Sequence, residues 1–175
     1  MISPLKWIAG TMLCVASAFS PLAAFAQAAT PVNPAVPDTR SEDDAFLLLR
    51  DAARKDDLDK VDFYASRLSN YQVPSYVDYY RLKPRIRQLS EAQFRDYLAR
   101  YKGSAIADRF RNDWLLELGR QRNWVIFDEQ YPQFALDDDT QLKCYALMSR
   151  LAKGQKVADE ARNLLQSPPG YGEAC

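Results

Sequence analysis

Histidine is missing altogether from the 175 residues of this chain. Its absence removes the commonest general base and the commonest metal ligand. Neither sign of charge is in excess, since 23 basic side chains stand against 23 acidic ones. No global basic field is therefore present to hold nucleic acid or an anionic lipid surface. A Gly-rich phosphate loop, a Cys-x-x-Cys pair and a Gly-x-Ser-x-Gly elbow are all lacking. So is strand-like alternation bounded by turn pairs. What remains for chemistry is carboxylate, Tyr, Lys, Ser or Cys. No cofactor and no metal is expected.

Apolar residues make up 47% of the chain, enough for a core. The first residues read as an address. Lys6 gives a short positive region, residues 7–19 are apolar but too short to span a bilayer comfortably, and Ala24-Phe25-Ala26 fits the small-x-small cleavage rule. Residues 1–26 are thus expected to be a cleaved signal peptide, with an uncleaved membrane anchor as the alternative. Cys14 follows Leu13, where a lipobox needs a small residue, and should leave with the signal. Export would take the mature chain to an oxidising compartment, with no stable membrane insertion after cleavage. Cys144 and Cys175 then remain in an oxidising compartment, which points to one disulfide closing a loop of about 30 residues. Two unpaired thiols are the alternative.

Residues 27–40 hold Pro31, Pro34 and Pro37 among alanines and read as an extended linker. Helical signals begin at Ser41, whose hydroxyl precedes Glu42-Asp43-Asp44 in a first turn where the helix dipole favours acids. Asp57, Ser90 and Ser104 offer further caps, and Pro74 opens a third segment that Pro84 bends or ends. Asn123 or its neighbours open a sixth segment, broken at Pro132. Asp137-Asp138-Asp139 caps a seventh, Gly154 ends it, and an eighth runs to about Gln166 before the stop Ser167-Pro168-Pro169-Gly170. About eight short helices with short breaks predict an all-α chain of antiparallel neighbours. Helix pairs of roughly 30–40 residues point to an α-solenoid, a superhelical TPR-like array, in which each pair packs on the next. A compact helical bundle is the alternative.

Candidate chemistry competes with plainer roles. Ten Tyr, eight Phe and three Trp are available to stack on sugar rings. Tyr76, Tyr79 and Tyr80, or Trp114 and Trp124, are the candidates for stacking, and the cluster Arg81, Lys83, Arg85 and Arg87 is a candidate for meeting an anionic glycan or peptide carboxylates; of these Tyr76, Tyr79, Tyr80, Arg81 and Arg85 form the candidate glycan contact. Core packing between helices and a solvated cationic face are the competing readings. Asp137-Asp138-Asp139 lacks the glycine and glutamate spacing of a cation loop and reads as a helix start. A glycosidase needs two carboxyls across one bond, one of them an acid of raised pKa. None of Glu42, Glu91, Glu117, Glu129, Glu160 and Glu173 sits in such a motif, so no catalytic residue is assigned.

Several segments, in order, resemble the N-terminal superhelical domain of soluble lytic murein transglycosylases. Tyr76-Val77-Asp78-Tyr79 after Pro74 is similar to the family's Y-L-E-Y element. Ala105-Ile106-Ala107-Asp108-Arg109-Phe110-Arg111-Asn112-Asp113-Trp114-Leu115 resembles its A-x-R-L-R-x-x-W-L helix. Arg122-Asn123-Trp124 stands where a short turn precedes a tryptophan. Gln141-Leu142-Lys143-Cys144-Tyr145 resembles Q-C-x-Y, and Leu151-Ala152-Lys153-Gly154-Gln155 resembles a helix end and turn. The stretch from Ser167-Pro168 to Ala174-Cys175 resembles S-x-P-x-A-C. Phe110 departs from the usual Leu, and Pro84 interrupts a more regular region. The resemblance covers residues 41–175. It implies a periplasmic, U-shaped helical scaffold that carries a lysozyme-like domain cleaving the MurNAc–GlcNAc bond of peptidoglycan to a 1,6-anhydro end. It also implies a Cys144–Cys175 disulfide. The family's catalytic E-S, G-L-M-Q and A-Y-N-A-G motifs are not in this sequence, so this chain is expected to be non-catalytic scaffold. The implied partners are peptidoglycan strands, met through the full-length enzyme, and other cell-wall proteins. A free-standing helical adaptor for a protein partner and a small carboxylate hydrolase are the rival readings.

Overall fold

The computed structural model describes residues 41–166 and 172–175. The expected signal peptide (1–26), linker (27–40) and stop at Ser167-Pro168-Pro169-Gly170 lie outside the described residues. Within them the chain is all-helical, with eight α-helices and two 3₁₀ turns. No described helix is long and apolar enough to cross a membrane.

Helix α1 (Glu42–Arg54) starts where Ser41 Oγ accepts the Asp44 N–H at 3.1 Å. Its inward stripe is Ala45, Leu49, Ala52 and Ala53. Asp56 turns the chain with a left-handed φ of 53°, a conformation that Asp tolerates better than most residues. Asp57 then caps α2 (Leu58–Ser66) through the Lys60 N–H. Pro74 opens α3 (Pro74–Leu82), where its missing N–H leaves no bond unmade. Pro84 does not stop the chain turning. The α-helix ends at Leu82 and a 3₁₀ turn, Lys83–Gln88, continues from it.

Ser90 opens α4 (Glu91–Arg100) with a reciprocal capping box. It accepts the Gln93 N–H, and its own N–H donates to Gln93 Oε1 at 2.9 Å. Gly103, at φ +82°, supplies the left-handed stop. Ser104 Oγ accepts the Ala107 N–H at 3.2 Å and starts α5 (Ala105–Arg120). Arg122, at φ 57°, turns the chain into α6 (Trp124–Gln130). Asn123 makes no side-chain cap there, because the turn is set by backbone bonds such as Asn123 N–H to Leu118 O at 2.9 Å. Pro132 sits in the second 3₁₀ turn, Tyr131–Gln133. Of the three acids that follow, Asp139 alone caps α7 (Thr140–Ala152), accepting the Gln141 and Leu142 N–H groups. Asp137 pairs with Lys143 at 3.3 Å and Asp138 with Arg109 at 2.9 Å. Helix α8 (Ala158–Leu165) has no buried residue. Cys175 returns to α7 through the Cys144–Cys175 disulfide, with Cα atoms 5.2 Å apart.

The core falls into two clusters. The first joins α1, α2 and α3 through Ala45, Leu49, Ala52, Ala53, Val61, Tyr64, Leu68 and Val77. The second surrounds α5 and is dominated by rings: Tyr79, Phe94, Tyr97, Phe110, Trp114, Phe127, Phe134 and Tyr145. Tyr80 packs against both. Helix α5 touches α3, α4, α6 and α7. Its Gly119 lets α7 come close, since a Cβ there would lie 2.4 Å from the Tyr145 ring.

Candidate functional site

The cationic aromatic face read from the sequence lies on α3 and the 3₁₀ turn after it. The structure divides it. Tyr79 is withdrawn from ligand contact, with its ring buried at 4% exposure. Its hydroxyl donates to Asp113 Oδ2 at 2.9 Å and accepts from Lys83 Nζ at 2.7 Å. Burial, with Asp113 adding to it, pushes that phenol well above the ordinary tyrosine range. Tyr80 is half-buried and meets the Tyr79 ring at 5.3 Å and the Phe46 ring at 5.8 Å. Arg85 bridges elements, donating to Asp62 at 2.7 Å and to the Arg81 carbonyl at 3.1 Å. These three side chains hold neighbouring elements together, because each finds a partner that helical spacing alone does not reveal.

Tyr76 and Arg81 remain exposed. Arg81 pairs with Asp78 at 3.1 Å. It lines a cleft of about 420 Å³ between α2 and α3, floored by Leu68 and Val77 and edged by Asp62 and Asp78. No ring lines that cleft, so it offers hydrogen bonds and charge without a stacking surface for a sugar. Asp78 is itself engaged by Arg100 at 2.7 Å and by the Tyr101 hydroxyl at 2.8 Å.

A second cleft, of about 440 Å³, opens between the end of α4, the start of α5 and the loop 133–136. Lys102 and Arg111 line it, together with Leu98 and Leu136. Asp108 Oδ2 fixes its outer wall by accepting the N–H groups of Ala135 at 3.0 Å and Leu136 at 2.8 Å. Neither cation stands out in the sequence. No sequence signal marks them, because Arg111 has the spacing of an ordinary helix arginine and the burial of its neighbours Phe110 and Asn112 follows only from the fold.

Among the described residues four carboxyls are held below their ordinary range, the opposite of what a general acid needs. Hydrogen bonds from Arg120 and then Gln121 lower Glu117, Arg95 lowers Glu129, Arg150 lowers Glu160, and Lys60 lowers Asp57. Among the described residues no three Asp, Glu or Cys side chains converge as a metal site. Asp139 is typical: it caps α7 and accepts the Asn112 amide at 2.9 Å. Set against known proteins, the chain matches no family model, no curated protein and no solved structure.

Proposed function

We propose that this chain is the N-terminal helical scaffold segment of a periplasmic soluble lytic transglycosylase, a non-catalytic layer that lies along peptidoglycan strands. The observation that carries this reading is a pairing in space. The segments that resemble the family are also the segments that grip one another. Tyr79, from the Tyr76-Val77-Asp78-Tyr79 element, bonds Asp113 and packs its ring edge against Phe110, both in the element that ends at Trp114-Leu115. Cys144, from the Gln141-to-Tyr145 element, is joined to Cys175. Such pairings are what a scaffold needs from its recurring residues.

A solenoid arrangement goes with this proposal. Contacts of α1 with α3, of α3 with α5 and of α5 with α7 support it, since a solenoid stacks alternate helices in one layer. Arg95 of α4 reaches Glu129 of α6 with two bonds, at 2.7 and 2.8 Å, as a second layer of alternate helices would require. Stacked layers present a long surface suited to a polymer, and they form a rigid mount for a reactive domain.

Purified peptidoglycan sacculi test the proposal. The chain should sediment with them and release no muropeptides. Retention in the supernatant would remove the strand-binding role, and release of 1,6-anhydro products would overturn the non-catalytic assignment.

A further inference from the structure

The cleft between α4, α5 and the loop 133–136 carries a charge pattern that the scaffold reading does not use. Arg111 extends from α5 with its side chain 14% exposed. Its Nη1 donates to Gln130 Oε1. Its Nε is buried without a hydrogen-bond partner, and Asp108 Oδ1 lies 3.7 Å away, too far for a hydrogen bond. Burial pulls this guanidinium below its ordinary pKa, with Asp108 opposing only in part. Lys102, at the rim of the same cleft, is exposed and makes no ion pair among the described residues. Both cations also line the adjoining cleft of about 350 Å³. There Arg95 and Glu129 neutralise each other and Arg111 shares the carboxylate of Asp108, which leaves Lys102 without a counter-charge and the pair with one excess positive charge.

We propose that this cleft binds a peptide C-terminus ending in a small aliphatic residue, its carboxylate taken by Lys102 and Arg111 and its side chain by Leu98 and Leu136. Two cations stand against the single carboxylate of Asp108, so the site suits a monoanion. A dianionic phosphate would sit beside Asp108 and be repelled by it. The cleft volume fits two residues of a peptide and falls within the range of small-ligand sites. Gln133 donates its amide to the Glu129 carbonyl at 3.1 Å, leaving Oε1 to accept the last peptide N–H. A long acyl chain would use neither Gln133 nor the width of the opening. The outer wall is held by Asp108 through two backbone bonds, so the site is formed before any ligand arrives. The inference rests on the chemistry of this cleft alone and stands apart from the scaffold proposal.

Amide NMR on the isotope-labelled chain tests it, with N-acetyl-alanyl-alanine as the probe. Saturable shifts should concentrate at Ser104, Ala107, Ala135 and Leu136, with a Kd on the order of 1 mM, as expected for so small a ligand. N-acetyl-alanyl-alaninamide, which lacks the carboxylate, should bind about tenfold more weakly, because a charge-assisted contact is lost. Lys102→Ala should weaken binding of the acid to the level of the amide while leaving the melting temperature unchanged, since Lys102 is exposed and unpaired. Arg111→Gln should do the same, and its melting curve reports whether the fold survives. Equal binding of acid and amide, tighter binding of octanoate, or shifts centred elsewhere would each overturn the proposal.

Discussion

The two core clusters are built from different materials. Around α1, α2 and α3 the buried residues are mostly small and aliphatic, three of them alanines. Around α5 they are large rings in mutual contact: Phe94 stacks on Trp114 at 4.8 Å, and Phe110 meets the rings of Phe94, Tyr97 and Tyr79. Small residues let helices slide closer when a neighbour is trimmed. Interlocked rings do not, because each holds several others in place. The aromatic cluster also draws on a longer stretch of chain, from Tyr79 to Tyr145, whereas the aliphatic one runs from Ala45 to Val77. It therefore supplies the rigid part of the fold, and the walls of the Lys102–Arg111 cleft rise from it. The aliphatic cluster is the part expected to open first.

The sharpest test of this contrast is a pair of truncations. Phe110→Ala should lower stability by about 3–5 kcal/mol in urea unfolding, and Leu49→Ala by about 2–3 kcal/mol, both side chains being fully buried. Equal losses would remove the distinction. Next in size is the disulfide, which spans 31 positions. Replacing both Cys144 and Cys175 by Ser should lower stability by at most about 3–4 kcal/mol, by loop-closure entropy. Amides of α7 should respond most and those of α1 least.

Gly119→Ala probes the tight spot of the aromatic cluster. Helix propensity alone would reward alanine by about 1 kcal/mol. The new Cβ would meet the Tyr145 ring at 2.4 Å, however, and a net loss of about 1–3 kcal/mol is expected. A gain would show that α7 yields easily and that the cluster is softer than described. The smallest effect concerns acid. Glu117 is buried, and its bonds to Arg120 and Gln121 hold its pKa below the ordinary 4.5. The stability it contributes is fully present above that ordinary value and is lost as pH falls through the depressed one. Glu117→Gln should flatten that acid limb in a series of melts while leaving the neutral-pH limb nearly unchanged in shape.

Local features were legible in the sequence, whereas distant pairings were not. Ser41, Asp57, Ser90 and Ser104 each cap the helix expected of them, because a cap is decided within about four residues. The same locality separates Asp139 from Asp137 and Asp138 only once the helix start is fixed. Tyr79 and Arg85 read equally well as surface and as structure, since their partners Asp113 and Asp62 lie on other elements. The division into two clusters was likewise hidden. Leu49 and Leu115 sit on similar stripes, and which neighbours each meets is set by how the helices stack. Arg111 shows the limit most plainly. Its spacing is that of any solvated helix arginine, yet it lies in a wall with its Nε unpartnered.

Native-state hydrogen exchange measures the difference between the clusters directly. Amides in α5 should exchange only through global unfolding, while those in α1 and α2 should exchange through a smaller opening at lower free energy. A single free energy shared by α1, α2 and α5 would contradict the account.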